Sequence, residues 1–172
     1  LFPLLKNQPY LNKVEKFTHQ AIDINFDIFR ELPISNIFDN VTYASVITGI
    51  YPNYNESFLE VDEHENLKEK IIIQRTFRYR NNFINYEFLN NYDNLFFVGT
   101  FDEFKDLKNI VKKLEFYECK DFLDMAKVVK SSKFVLANSS ITFPIAEGLN
   151  VPRLLESCPN YPAAQPHGKN AF

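Results

Sequence analysis

The stretch from Lys133 to Glu156 constrains the fold most, because it contains a complete strand–helix–strand pattern. An apolar run of strand length, residues 134–137, is followed by the polar turn Asn138-Ser139-Ser140. Apolar side chains four residues apart then predict a helix, and Pro152 separates it from a second predicted strand that begins Arg153-Leu154-Leu155. Such a βαβ unit joins two parallel strands through a helix.

Three further short apolar runs precede this unit, separated by helical patterns and polar loops. Thr100 and Glu103 match a capping box, and Asp121 is a candidate N-cap of the next helix. The inner face of the first of these helices is predicted to contain Phe101, Phe104, Leu107 and Val111. The five predicted strands cover residues 71–75, 95–99, 114–118, 133–138 and 153–157. The sequence therefore predicts an α/β fold, a doubly wound, Rossmann-like parallel sheet in the order 3-2-1-4-5.

The pattern changes along the chain and predicts its domain organisation. Residues 1–60 are irregular, with a helix expected over Ile37–Thr48. The chain starts at Leu1 and is apolar from there, so we interpret residues 1–60 as the end of an incomplete N-terminal domain. The acidic residues that follow predict a linker over residues 61–69 rather than a metal cluster. Residues 70–172 form the predicted α/β domain.

Composition narrows the class of protein. The chain has 172 residues, of which 45% are hydrophobic and 24% are charged, as in an ordinary globular protein. Its net charge of -3 argues against broad binding to nucleic acid. Two cysteines make no disulfide framework, and we find neither a signal peptide nor a run of membrane-spanning length. We therefore expect a cytoplasmic protein.

The predicted strand order also predicts where a ligand binds. In an open α/β sheet, ligands lie beyond the carboxyl ends of the strands where the order reverses, here between the first and fourth strands. Guanidinium groups suit phosphate, and the free N–H groups of a helix start attract anions. The residues expected at this crevice are Arg75, Arg78, Arg80, Asn138, Ser139 and Ser140. The alternatives are solvated loop arginines and a serine that only caps its helix.

Several familiar sites are absent from the sequence. There is no GxGxxG, no GxxxxGK[ST] and no GxSxG motif. No Asp-x-Asp follows a strand, so we predict no metal site. The three histidines, His19, His64 and His167, are scattered, and each is expected on the surface.

The segments FVLANSSITFPIAEGLNVPRLLE, IIIQRTFRYRNN and LFFVGTFDEF resemble the C-terminal nucleotide-binding half of GT-B glycosyltransferases. The resemblance covers roughly residues 70–160 and is strongest to family nine, which includes the lipopolysaccharide heptosyltransferases. That family has a small polar turn opening a helix that ends near Leu-x-x-Pro, matched here by Asn138-Ser139-Ser140 and by residues 149–152. The residues matching its segment after the second strand are Gly99, Thr100 and Glu103. Asn138 stands where the family usually has an acid, and Ser140 where it has glycine.

The resemblance implies a metal-independent glycosyltransferase that needs no cofactor and transfers a sugar from a nucleotide-diphosphate donor to a glycan or other acceptor. The three arginines would clamp the diphosphate, and Ser139 and Ser140 would hold phosphate oxygens. Glu103 or Glu156 would accept hydrogen bonds from ribose. The family's catalytic carboxylate lies in the N-terminal domain, so no catalytic residue is assigned. The alternative is a non-catalytic sugar-nucleotide-binding or protein-interaction module with the same fold.

Overall fold

The structure, a computed structural model, describes residues 1–31 and 39–172. Its centre is a five-stranded, all-parallel sheet in the order β3-β2-β1-β4-β5. The strands are β1 (Ile71–Gln74), β2 (Leu95–Phe97), β3 (Glu115–Phe116), β4 (Phe134–Asn138) and β5 (Arg153–Glu156). The predicted fold class and strand order are confirmed.

Helices connect the strands and precede them. The α-helices are α1 (Phe2–Lys6), α2 (Asn40–Thr48), α3 (Phe101–Lys108), α4 (Phe122–Ser131) and α5 (Thr142–Gly148). Short 3-10 helices cover Phe26–Arg30, Phe77–Tyr79 and Glu87–Asn91. The predicted capping box of Thr100 and Glu103 starts α3, and the Asp121 carboxylate caps α4. Both caps work because the side chains accept hydrogen bonds from N–H groups that have no partner within the helix.

The core has two parts, one on each face of the sheet. Consecutive strand residues point to opposite faces, so Ile72 packs with α1, α4 and α5 while Ile73 packs with α3. Phe101 lies outside this core: it is 56% exposed, against the prediction that it belongs to the inner face of α3. As the first residue of the helix, it is turned toward the carboxyl edge of the sheet, where it stacks on Phe104.

Within residues 1–31 and 39–60 the regular elements are helices only. The predicted helix over Ile37–Thr48 is present from Asn40, and residues 37 and 38 lie outside the described residues. The segment 61–69 has no helix or strand, yet Leu67 is buried against the core. The interpretation of residues 1–60 as the end of an incomplete domain stays a prediction.

The C-terminal segment runs along the outer edge of β5. The backbone N–H groups of Arg153 and Leu155 donate to the carbonyls of Asn170 (2.9 Å) and Phe172 (2.8 Å). The Phe172 N–H donates back to the Arg153 carbonyl at 3.0 Å. The tail therefore pairs with β5 much as a sixth strand would.

In the described parts of the chain, no helix has both the length and the apolar character that crossing a membrane requires.

Candidate functional site

A cleft of about 920 Å³ opens at the carboxyl ends of β1 to β4. This is the edge at which the strand order reverses, the usual ligand site of such sheets, and its volume suits a small-molecule ligand. The residues that line it at the strand ends are Gln74, Thr76, Gly99, Thr100, Glu118, Cys119 and Ser140. The ligand-binding edge predicted from the sequence therefore coincides with a cleft.

The three residues predicted after the second strand all line this cleft. Gly99 has a φ of 144°, and a Cβ there would lie 2.9 Å from the Phe97 ring, so only glycine fits without strain. Thr100 Oγ1 accepts the Glu103 N–H at 3.4 Å, and Glu103 Oε2 accepts the Thr100 N–H at 3.1 Å. Glu103 Oε1 lies 3.4 Å from the Phe77 N–H, so both carboxylate oxygens already have backbone donors.

One wall of the cleft is aromatic. Phe101, Phe116 and Phe122 line it, and the ring centroids of Phe101 and Phe116 are 5.4 Å apart in an edge-to-face arrangement. Cys119 lies beside them, and burial, with the nearby Asp124 and Asp121, raises the pKa of its thiol to about 12. Cys119 is therefore protonated at neutral pH and is not a nucleophile.

Arg75 and Glu156 form a buried ion pair with each other. Arg75 Nε donates to Glu156 Oε2 at 2.9 Å and Nη2 donates to Oε1 at 3.0 Å. Glu156 also accepts the Tyr86 hydroxyl at 2.6 Å and the Asn81 N–H at 2.7 Å. Both groups were predicted to bind the donor, but here they fasten the loop after β1 to the end of β5. The side chains of Arg75 and Glu156 are therefore engaged with each other and are not available to a ligand.

The other two arginines differ in their availability. Arg80 is mostly buried and forms an ion pair with Asp106, with Nη1 2.6 Å from Oδ2, and its guanidinium lies 4.4 Å from the centroid of the Phe77 ring. Arg78 is exposed, lies over the Tyr79 ring at 4.8 Å, and has no ion pair with any residue in 1–31 or 39–172. None of the three lines the cleft. Of the predicted arginine cluster, only Arg78 is both exposed and without an ion pair to a described residue.

Asn138 also has a structural role. It is fully buried, its amide accepts the Thr76 N–H at 3.2 Å, and it donates to the Thr76 carbonyl at 2.9 Å. These bonds continue the pairing of β4 with β1 beyond the strand ends. Asn138 thereby holds the two segments that leave the sheet at the switch point side by side.

The alternative in which a serine only caps α5 is not found in the structure. The N-cap is Ile141, no side chain caps the helix, and the serines belong to the turn before it. Pro144 lies in the first turn of α5, where its missing N–H costs no helical hydrogen bond. Ser140 lines the cleft, whereas the Ser139 hydroxyl is buried with no hydrogen-bond partner in the described structure.

A second cavity of about 380 Å³ lies on the other side of the turn after β4. Ser140 and Ile141 line both cavities, so the two adjoin at this turn. Tyr79 and Tyr161 face each other in the second cavity with ring centroids 4.9 Å apart. Ser139 and Ser140 were predicted at one crevice, and the structure places them at the junction of two.

Sequence reasoning missed the role of His167 in the second cavity. Its Nε2 is 3.4 Å from Asp39 Oδ1 and its Nδ1 is 3.5 Å from Glu147 Oε2. The neighbouring Glu147 carboxylate, and after it the charge of Asp39, raises the pKa of His167 despite its burial. Arg153 Nη2 donates to Glu147 Oε1 at 2.9 Å. The expectation of a surface His167 is wrong, since its side chain is only 16% exposed. No local pattern in the sequence indicates this pairing, because the partners of His167 lie far away along the chain.

Burial alone would raise the pKa of the two carboxylates, but hydrogen bonds reverse the direction. For Glu147 the donors are His167 and Arg153, and its pKa lies below the usual value. For Asp39 the donors are Thr42 and Val41 at the start of α2, and its pKa is also lowered. The network therefore places the imidazole between two carboxylates, and this arrangement favours its protonated form.

In residues 1–31 and 39–172, no group of three or more His, Cys, Asp or Glu side chains is arranged to hold a metal ion. No protein-family model matches the chain, and searches of curated proteins and of solved structures find no match. The resemblance to GT-B glycosyltransferases therefore stays a prediction.

Proposed function

We propose that this chain is the nucleotide-binding half of a metal-independent GT-B-type glycosyltransferase. The single observation that carries this proposal is the cleft of about 920 Å³ at the switch point of a 3-2-1-4-5 sheet. It lies where such folds bind nucleotides, and its volume is at the upper end of ordinary ligand sites.

The nucleoside fits the part of the cleft between β2 and β3. Phe101, Phe116 and Phe122 offer apolar faces on which a base can stack. The Glu118 carboxylate lines the same region and has no hydrogen bond or ion pair with any other described residue, so it is free to accept from hydroxyls. Gly99 lets the ligand approach the backbone at the end of β2.

The diphosphate fits the turn after β4, where the two cavities meet. The Ser140 hydroxyl lines both cavities, and Arg78 lies on Tyr79, which lines the second. Arg78 replaces the three-arginine clamp predicted from the sequence, because Arg75 and Arg80 are already paired with carboxylates. The sugar and the acceptor would then approach from the side of the second cavity.

The role of the described residues is to bind and orient the donor. Cys119 is protonated and Glu103 is committed to backbone hydrogen bonds, so neither is assigned as a catalytic base. Leaving-group charge would be stabilised by Arg78 and the serine hydroxyl.

Calorimetric titration with ADP, UDP, GDP and CDP tests this proposal. We expect one of them to bind the wild type. Phe101→Ala should weaken that binding about tenfold because the stacking on the base is lost. Arg78→Ala should weaken it about ten- to a hundredfold, because a charged hydrogen bond contributes about 1.5–3 kcal/mol. Arg78→Lys should give an intermediate loss because it keeps the charge without the fork. Phe88→Ala, an exposed phenylalanine away from the cleft, is the matched control and should change nothing.

The proposal fails if none of the four nucleotides binds the wild-type protein at millimolar concentration. Binding that Phe101→Ala and Arg78→Ala both leave unchanged would place the site elsewhere. If a nucleotide binds at the cleft but the protein transfers no sugar when the proposed catalytic domain is present, the non-catalytic binding module is favoured.

A further inference from the structure

Gln74 is a buried polar residue whose role the fold does not explain. It ends β1, directly at the switch point, and is only 3% exposed. Its side-chain Oε1 is fully buried and has no hydrogen-bond partner in residues 1–31 and 39–172. Gln74 also lines the cleft. An unpaired acceptor therefore lies at the floor of the site proposed for the nucleotide.

Such a group is costly to the unliganded protein. Native structures leave few buried polar groups without partners, because a buried carbonyl loses its hydrogen bonds to water and gains none in return. The preceding strand positions, Ile72 and Ile73, are fully buried and apolar. A glutamine that continues this run without a hydrogen-bond partner among the described residues is readily explained if a ligand supplies the missing donor.

The charges around Gln74 limit what that donor belongs to. The charged side chains that line the cleft are the carboxylates of Glu103, Glu118 and Asp121, and no lysine or arginine from the described residues is among them. Acceptors and negative charges repel phosphate oxygens and favour hydroxyl or amino groups. The part of the ligand at the floor is therefore not the phosphate, and it carries hydrogen-bond donors.

We propose that Gln74 Oε1 accepts a hydrogen bond from a hydroxyl or amino group of the nucleoside, and that this contact selects the nucleotide. The inference rests on the proposed function. It assigns Gln74 as a specificity-determining residue, and it extends the nucleoside from the aromatic wall at β2 and β3 to the end of β1, with the diphosphate beyond it at the turn after β4.

Gln74→Met is expected to raise the stability of the unliganded protein and to lower its affinity for the nucleotide. Methionine has a similar length and no carbonyl, so the unliganded variant should melt at a higher temperature than the wild type by thermal denaturation. Its affinity for the nucleoside diphosphate that binds the wild type best should fall about tenfold or more by calorimetry.

Gln8→Met is the matched control. Gln8 is also buried, at 2% exposure, but its amide donates to the Leu4 carbonyl at 3.0 Å and accepts the Glu60 N–H at 2.8 Å, away from the cleft. This variant should melt at a lower temperature than the wild type and bind the nucleotide unchanged.

Analogues of the same nucleotide identify the donor. The 2′-deoxy, 3′-deoxy and deamino forms each lack one donor. One of these analogues should bind the wild type more weakly than the parent nucleotide does, whereas Gln74→Met should bind that analogue and the parent nucleotide equally well.

If no nucleoside diphosphate binds the wild type, the proposed function and this inference both fail. If the wild type binds but Gln74→Met binds equally well, or melts lower as Gln8→Met does, only this inference fails. Equal losses for every analogue in both proteins would also overturn it.

Discussion

Glu156 shows how a single residue can be placed correctly in sequence and still have a different role. It lies at the end of β5, at the ligand edge, as predicted. Its carboxylate accepts from Arg75, Tyr86 and Asn81. Burial of Tyr86, together with the charge of Glu156, raises the pKa of the Tyr86 phenol, which therefore stays protonated as a donor. The cluster fixes the loop that follows β1.

Glu156→Gln should destabilise the protein by about 3–5 kcal/mol, because it leaves the buried Arg75 guanidinium without a counter-charge. Urea unfolding measures this loss. Glu118→Gln, at an exposed carboxylate without a partner among the described residues, is the control and should change the free energy of unfolding by less than about 0.5 kcal/mol. A loss below about 1 kcal/mol for Glu156→Gln would contradict the structural role.

Residue roles were predictable where the partners are close in sequence. Thr100 and Glu103 are three residues apart, and their capping box follows from helix geometry. Arg75 and Glu156 are 81 residues apart, and their pairing depends on how the loop after β1 folds back. No local pattern contains that information, so a ligand-binding arginine and a structural one look alike in the sequence.

At the scale of elements, the strands were predictable because each lies in a short segment rich in apolar residues, and because parallel sheets allow few strand orders. The start of α5 was not. Ser139 and Ser140 are good capping residues, but Asn138 is bonded to Thr76 at the end of β4, the two serines form the turn that follows, and the helix begins only after them. A long-range contact here outweighs a local preference.

Gly148 at the end of α5 fixes residues 58 and 59 on the helix. Its carbonyl accepts the N–H groups of Phe58 and Leu59, both at 2.8 Å. A Cβ on Gly148 would lie 2.6 Å from Leu59 Cδ1 and 2.9 Å from Phe58 Cε2. The glycine thus allows the close approach of the segment that joins α2 to the sheet.

Gly148→Ala should therefore destabilise the protein by about 1–3 kcal/mol through overpacking, although alanine is the better helix former by about 1 kcal/mol. Urea unfolding gives the value. In a Leu59→Ala background the nearest clash is removed, so the same substitution should cost clearly less. Equal costs in the two backgrounds would show that the packing argument is wrong.

At the scale of the whole molecule, His167 joins parts of the chain that are distant in sequence. It brings the tail against Asp39 at the start of α2 and Glu147 in α5, and Arg153 of β5 bonds to the same Glu147. The raised pKa of His167 contributes stability that is complete below its ordinary pKa of about 6.5 and lost as the pH rises through the folded value. The lowered pKa values of Asp39 and Glu147 contribute stability above about pH 4 that is lost on acidification.

We therefore expect this network to stabilise the fold most between about pH 5 and 6.5. Urea unfolding at pH 5.5 and pH 8.5 should show that His167→Gln costs more at the lower pH, because only there is the imidazolium fully formed. His19→Gln, at an exposed histidine, is the control and should cost the same at both values. A cost for His167→Gln that is equal at the two pH values would rule out the charged network.

The paired tail along β5 affects how copies of this protein behave in crowded solution. An open sheet presents unpaired backbone at its two outermost strands, and such strands template aggregation between chains. Here β3 has only two residues, and β5 is already bonded to residues 170 and 172. The sheet therefore offers little free strand on which a neighbouring copy could add and begin a fibre.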